Sequence, residues 1–186
     1  MTERILMVID GDNLWKAQKD HLNFLTDPGK IKEYVSQFGE IIEACYYAST
    51  FSAEDDMNEE GRNKREAKDR FFRALAHMGY SVIQRNVKHI LQEDGSYKGK
   101  ASMDVLIARD ICLSVKNYDM LVLVSGDGDF ACVLDALKNL GKTVKVMSTE
   151  NVMSRDLREM VGQNFIELKD IREFIERDGT DHVQGN

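Results

Sequence analysis

The chain has 186 residues, 42% of them hydrophobic, and a formal net charge of −7 at pH 7. That length supports one sizeable core without needing a second domain. The charge excludes a protein whose whole surface binds nucleic acid, because phosphate affinity comes from Lys and Arg.

Apolar runs of strand length alternate with amphipathic stretches of helical period, the pattern of βαβ units on a parallel sheet. In chain order the pattern predicts strand 4–9, helix 30–37, strand 40–48, helix 64–78, strand 80–85, helix 103–115, strand 119–124, helix 130–140, strand 143–147, helix 154–161, strand 165–168 and helix 170–177. Gly79 and Gly141 each follow a helical run and precede a strand, where a left-handed cap is wanted. Stretches 52–61 and 87–101 interrupt the pattern and read as loops, the second with Glu93-Asp94-Gly95-Ser96 as a turn between two short arms. The expected fold is a Rossmann-like three-layer α/β/α domain over 1–177 with a central, mainly parallel sheet, followed by a disordered tail at 178–186.

Cys45, Cys112 and Cys132 are far apart, each inside an apolar run, and read as core residues of a reducing, cytoplasmic compartment rather than a disulfide framework. The apolar stretch 5–9 is too short for an export signal or a membrane span. Residues 62–73 hold six basic side chains (Arg62, Lys64, Arg65, Lys68, Arg70, Arg73) against Glu66 and Asp69. They read either as a local path for nucleic acid or, more usually for a charge run, as a solvated helix face with i,i+4 pairs.

In an open parallel sheet, ligands bind outside the carboxyl ends of the strands, where strand order reverses. The first strand ends in Asp10-Gly11-Asp12-Asn13 and the central one in Ser125-Gly126-Asp127-Gly128-Asp129; if the two are neighbours, their carboxylates converge. Glycines there would let the backbone turn and approach a ligand. At 100° per residue Asp104 falls in the middle of the stripe of Val105, Ile107, Ala108, Ile111, Cys112 and Val115, so it needs donors, a cation or a proton. Ser102 is a candidate cap beside it. Asp110 reads as a surface residue. Asp12 or Asn13 and Asp129 could each cap a following helix, which would leave Asp10 and Asp127 unexplained.

Clustered carboxylates repel unless protonated or bridged by cations. Hard oxygen donors point to Mg²⁺ or Mn²⁺, and the scattered His21, His77, His89 and His182 do not suggest zinc. Asp10, Asp104, Asp127 and Asp129 are then the candidate metal ligands and catalytic acids. Asn13, Ser125 and Asp12 would position a phosphate oxygen or a carboxylate, and Lys98 and Lys100 could contact a phosphate.

The strand ending Ile9-Asp10-Gly11-Asp12-Asn13-Leu14, the helix opening Met103-Asp104-Val105 with Asp110 six residues on, and Leu123-Val124-Ser125-Gly126-Asp127-Gly128-Asp129-Phe130 resemble the NYN domain, in its bacterial-type branch, within the PIN-like nuclease superfamily. Leu140-Gly141-Lys142 and Phe165-Ile166-Glu167-Leu168 are also similar, so the resemblance spans residues 4–175. It implies a PIN-like fold and metal-dependent ribonuclease activity, with the functional acids at Asp10, Asp104, Asp127 and Asp129. The family often has Lys-Gly-(Val)-Asp where this chain has Lys100-Ala101-Ser102-Met103-Asp104, so no role for Lys100 is carried over. RNA, single-stranded or structured, is the implied partner, and RNA over DNA rests on the resemblance alone. No membrane is implied, and a homodimer is left open.

Two other readings fit parts of the pattern. A haloacid-dehalogenase-like phosphatase would use Asp10 as nucleophile and Asp12 as general acid, with Ser49 or Thr50 and Lys116 in supporting roles, but leaves Asp104 without one. A non-catalytic module would bind RNA or protein without cutting. Trp15 and Tyr97 are the aromatic residues that could stack on a base, and Trp15 equally suits the rim of the core.

Overall fold

The apolar run from Ile5 to Ile9 is buried at every position, as a strand covered on both faces must be. It belongs to a chain that, in the computed structural model, is described over residues 2–50, 59–86, 88–91, 97–100 and 103–179. The elements are β1 (Arg4–Asp10), α1 (Gly11–Asp20), α2 (Pro28–Ser36), β2 (Glu40–Thr50), α3 (Glu59–His77), β3 (Ser81–Asn86), β4 (Lys88–Leu91), β5 (Tyr97–Lys100), α4 (Asp104–Leu113), β6 (Met120–Val124), α5 (Ala131–Asn139), β7 (Thr143–Ser148), α6 (Arg155–Val161), β8 (Phe165–Glu167) and α7 (Arg172–Ile175).

Six strands form one sheet in the order β3-β2-β1-β6-β7-β8, and every pair is parallel. Because side chains alternate along a strand, Ile5, Met7 and Ile9 face one core with Leu14, Ile31, Phe72, Leu75 and Ile175. Leu6 and Val8 face the other with Ile107, Leu134 and Leu157. Helices α1, α2, α3 and α7 thus cover one face and α4, α5 and α6 the other. Each such side chain contributes about 1.5–3 kcal/mol by leaving water. At the amino edge Arg4 grips Asp119 through Nε and Nη2, both at 2.9 Å, which pins β1 to the chain entering β6.

The predicted strands all form. Gly79 and Gly141 have φ of 79° and 75°, and in each case the next residue's N–H returns to the helix, Tyr80 to Leu75 O and Lys142 to Leu137 O, both at 3.0 Å. These are the expected left-handed caps.

Other expectations need correction. Helix α1 was not predicted, because its inward row is only Gly11, Leu14 and Ala17, too little apolar surface for a periodic signal. Helix α3 starts at Glu59, inside the expected loop 52–61, of which 52–58 lie outside the described residues. Within 87–101 the two arms pair as an antiparallel hairpin, β4 with β5; four residues per arm are too few for alternation to show. Residues 87, 92–96 and 101 lie outside the described ones, as does Ser102. Cys45 is buried but Cys112 and Cys132 are exposed: α4 buries Met103, Ile107 and Ile111 and turns Val105 and Cys112 outward, and α5 buries Val133, Leu134 and Leu137 instead of Cys132. In the expected tail, Asp178 accepts a hydrogen bond from Lys30 Nζ at 2.6 Å, and 180–186 lie outside the described residues. Among the described residues no helix is long and apolar enough to cross a membrane.

Candidate active site at the carboxyl edge of the sheet

Ile9 of β1 lies opposite Val124 of β6, so Asp10 and Ser125 leave the sheet side by side, at the point where strand order reverses. Ser125 Oγ donates to Asp10 Oδ2 at 3.2 Å and accepts from the Asp127 N–H at 3.2 Å. Asn13 N–H donates to Asp10 Oδ1 at 3.2 Å, while Asn13 Oδ1 accepts from Gly126 N–H at 2.9 Å. The turn after β1 and the loop after β6 are therefore laced together by Asp10, Asn13 and Ser125.

Asp127 Oδ1 accepts from Asp129 N–H at 3.0 Å and caps the 3-10 turn Gly128–Phe130 that leads into α5. Asp10 is the cap of α1. The caps are thus Asp10 and Asp127, not Asp12, Asn13 or Asp129. A cap must be the last extended residue before the turn, and these two have ψ of 96° and 126°. Capping and the roles expected from the sequence consequently fall on the same side chains.

Asp104 stands in the first turn of α4, whose cap position, Met103, makes no side-chain capping bond. It lies on the flank of the buried stripe rather than in its middle, and is half-buried. One carboxylate oxygen each of Asp104, Asp127 and Asp129 lies within 4.8 Å of the other two. The carboxyl of Asp104 is pushed up by burial first, then by the charges of Asp127 and Asp129. Asp10, 4% exposed, is pushed up to about 6, chiefly by burial; the bonds from Asn13 and Ser125 lower it, and Asp12 and Asp104 raise it further. Three carboxylates aimed at one point, with no His or Cys among them, suit a hard divalent cation.

Asp12 turns away from this point. Its Oδ2 accepts from Ser49 N–H at 3.1 Å and from Ser49 Oγ, fastening α1 to the end of β2. Lys98 and Lys100 are on β5, and their side chains lie outside the described residues. Lys116 precedes β6 and so sits at the amino edge, a strand length of about 15 Å from Asp10. That removes the lysine required by the phosphatase reading.

The site glycines are closely packed within the protein. A Cβ on Gly126 would lie 2.6 Å from Ser148 Oγ and 3.0 Å from Met153 N, and one on Gly128 would lie 2.7 Å from Ser154 Oγ. The loop after β6 is thereby pressed onto the connection between β7 and α6. Ser148 and Ser154 were not singled out in the sequence, where two serines carry no signal. Asp110 is half-buried, contrary to expectation: Tyr47 Oη donates to its Oδ2 at 3.0 Å, and Arg109 pairs with it at 2.7 Å.

The NYN domain family model matches residues 4–176. The chain belongs to the NYN domain family. It is similar to the Low amplitude and bright protein LabA of Synechococcus elongatus, with 31% identity over 178 residues, 94% of this chain and 88% of that protein. A solved structure of a protein of unknown function from Vibrio parahaemolyticus superposes with a TM-score of 0.70 at 24% identity, over 94% of this chain and 96% of that one, which shows a shared fold. The NYN family and the α/β architecture are those expected from the sequence.

Proposed function

We propose that this NYN domain is a metal-dependent endoribonuclease that hydrolyses RNA phosphodiester bonds at the carboxyl edge of its sheet. The observation that carries the proposal is the convergence of Asp104, Asp127 and Asp129 oxygens within 4.8 Å, in a member of the NYN family. These three acids would hold Mg²⁺ or Mn²⁺, with Asp10 beside them as a fourth ligand. A divalent cation in that place supplies positive charge toward the phosphate oxygens and makes an attacking water more acidic.

The chain's own residues keep the acids in place. Ser125 and Asn13 act as positioning residues, since each bridges the turn after β1 and the loop after β6. The raised pKa of Asp10 means that positive charge nearby would further favour its ionised form. Asp12 holds α1 to β2 and thereby sets the angle at which α1 leaves the site. RNA as the substrate follows from the family resemblance, and the free thiols of Cys45, Cys112 and Cys132 suit a reducing cytoplasm.

The test is incubation of the protein, and of its Asp104→Asn and Asp127→Asn variants, with labelled single-stranded RNA, structured RNA, DNA and a phosphomonoester, in Mg²⁺, Mn²⁺ or EDTA. RNA cleavage that needs metal and disappears in both variants is expected. Cleavage that persists in EDTA, or hydrolysis of the monoester alone, refutes the proposal.

A further inference from the structure

Near the acidic edge, α1 carries an exposed indole and α3 holds two half-buried cations. We infer that Trp15 on α1, together with Lys68 and Arg65 on α3, seats a single-stranded nucleic acid, one base stacking on the indole and the adjoining phosphates meeting the two cations. This rests on the nuclease reading and says which strand state is taken and by which side of the site.

Helix α1 fixes where the indole points. Asn13 reaches toward the loop after β6 through Gly126, and Asp12 toward β2 through Ser49. At about 100° per residue, Trp15 lies about 60° from Asp12 and about 160° from Asn13, so it faces the β2 side, which α3 covers. It is 59% exposed, unusual for the chain's single tryptophan one turn from a buried carboxylate. Lys16 and Lys19 are exposed on the same outer side of α1.

Helix α3 supplies the second half. Near the middle of the sheet its inward stripe is apolar: Phe72 and Leu75 are buried, and Phe71 meets Tyr46 edge-on at 5.7 Å. Toward the carboxyl edge the same stripe continues as Lys68 and Arg65, both half-buried. Lys68 Nζ lies 5.8 Å from the Phe72 ring centre. Gly11, the first residue of α1, is packed against the Tyr46 ring, the same ring that Phe71 of α3 meets, so this part of α3 lies beside the start of α1; in keeping with that, burial lowers the pKa of Lys68 while the charge of Asp12 raises it. In a chain of net charge −7, two cations held inward at the rim of an acidic site offset the repulsion a phosphate backbone would otherwise meet. Aromatic stacking plus a cationic track is how single strands are bound without sequence preference. A duplex, its bases already stacked on one another, cannot use the indole.

Because Trp15 is the sole indole, its fluorescence reports the contact directly. A short oligo(A) strand, as RNA and as DNA, and the same strand annealed to its complement are titrated in Mg²⁺ into the Asp127→Asn variant. Saturable quenching by the single strands and weaker quenching by the duplex are expected. Measured with a labelled strand, Trp15→Ala should raise Kd about tenfold, the size of one lost base stack, and Trp15→Phe should restore most of it. Lys68→Gln should reduce the slope of log Kd against log salt by about 0.7. Binding that leaves the indole emission unchanged, an unaltered Kd in Trp15→Ala, or no binding of single strands overturns the inference. The nuclease reading is judged separately by cleavage: quenching without cleavage in the unsubstituted chain would sink that reading alone, and cleavage with a normal Trp15→Ala variant would sink this one alone.

Discussion

Asp10→Asn separates the cost of a buried charge from its use. Asp10 is 4% exposed, and its carboxyl is pushed from 3.8 up to about 6 because burial outweighs the hydrogen bonds from Asn13 and Ser125. At 1.36 kcal/mol per pH unit, that difference is about 3 kcal/mol. The folded chain holds this proton more tightly than the unfolded one. The group's contribution is therefore complete below about pH 4 and is lost as pH rises through about 6. Asparagine keeps an oxygen for the Asn13 N–H and does not titrate. In EDTA, urea unfolding followed by circular dichroism should show the variant gaining on the wild type by about 3 kcal/mol between about pH 4 and pH 7.5, a relative Tm shift of roughly 6–12 °C. The same substitution should abolish RNA cleavage. A stability difference that is the same at both pH values, or that shifts in favour of the wild type as pH rises, would refute the reasoning.

Saturating Mg²⁺ at pH 7.5 should stabilise the wild type, by about 2.7 kcal/mol at a hundredfold excess over Kd, and should do little for Asp104→Asn or Asp127→Asn; a wild-type Tm that ignores Mg²⁺ would count against the metal site. Gly126→Ala forces a Cβ to within 2.6 Å of Ser148 Oγ, so urea unfolding should show a loss of about 1–3 kcal/mol and cleavage should fall with it, whereas an unchanged midpoint would mean that the loop has room to yield. Tyr47→Phe removes the 3.0 Å bond to Asp110 at the flank of α4 away from Asp104. It should cost about 1 kcal/mol in urea unfolding and leave cleavage intact; lost cleavage would tie that bond to the chemistry.

The strands were legible because parallel strands buried on both faces are continuous apolar runs, as in Met-Leu-Val-Leu-Val of β6. Helix α1 was not, because a short helix lying over a strand end needs only Leu14 and Ala17 inward and can spend its other positions on polar residues. Asp10, Asp127 and Asp129 were visible as acids following strands. Asp104 was visible as a carboxylate on a helix that must pack, although the helical wheel centred the buried stripe wrongly: with Met103, Ile107 and Ile111 buried four residues apart, Asp104 and Asp110 fall on opposite flanks. Partners distant in sequence, such as Ser49 for Asp12 and Tyr47 for Asp110, leave no local trace, since register and strand order decide them.

Capping and metal binding, which look like rival accounts of Asp10 and Asp127, are compatible. A carboxylate has two oxygens, and the N–H of a following turn binds one of them: Asn13 N–H takes Oδ1 of Asp10 and Asp129 N–H takes Oδ1 of Asp127. The bond fixes the plane of each carboxylate and so the direction of its second oxygen. At Asp10 that oxygen meets Ser125 Oγ, which in turn accepts from the Asp127 N–H. The two caps are thus coupled through one hydroxyl, and the acids are oriented without a cation, so little ordering entropy would be lost if one bound. What remains uncompensated is charge: burial raises Asp10, and burial followed by the neighbouring acids raises Asp104. On the proposed reading, a divalent cation would complete a site whose geometry is set by hydrogen bonds and whose charge is left unbalanced.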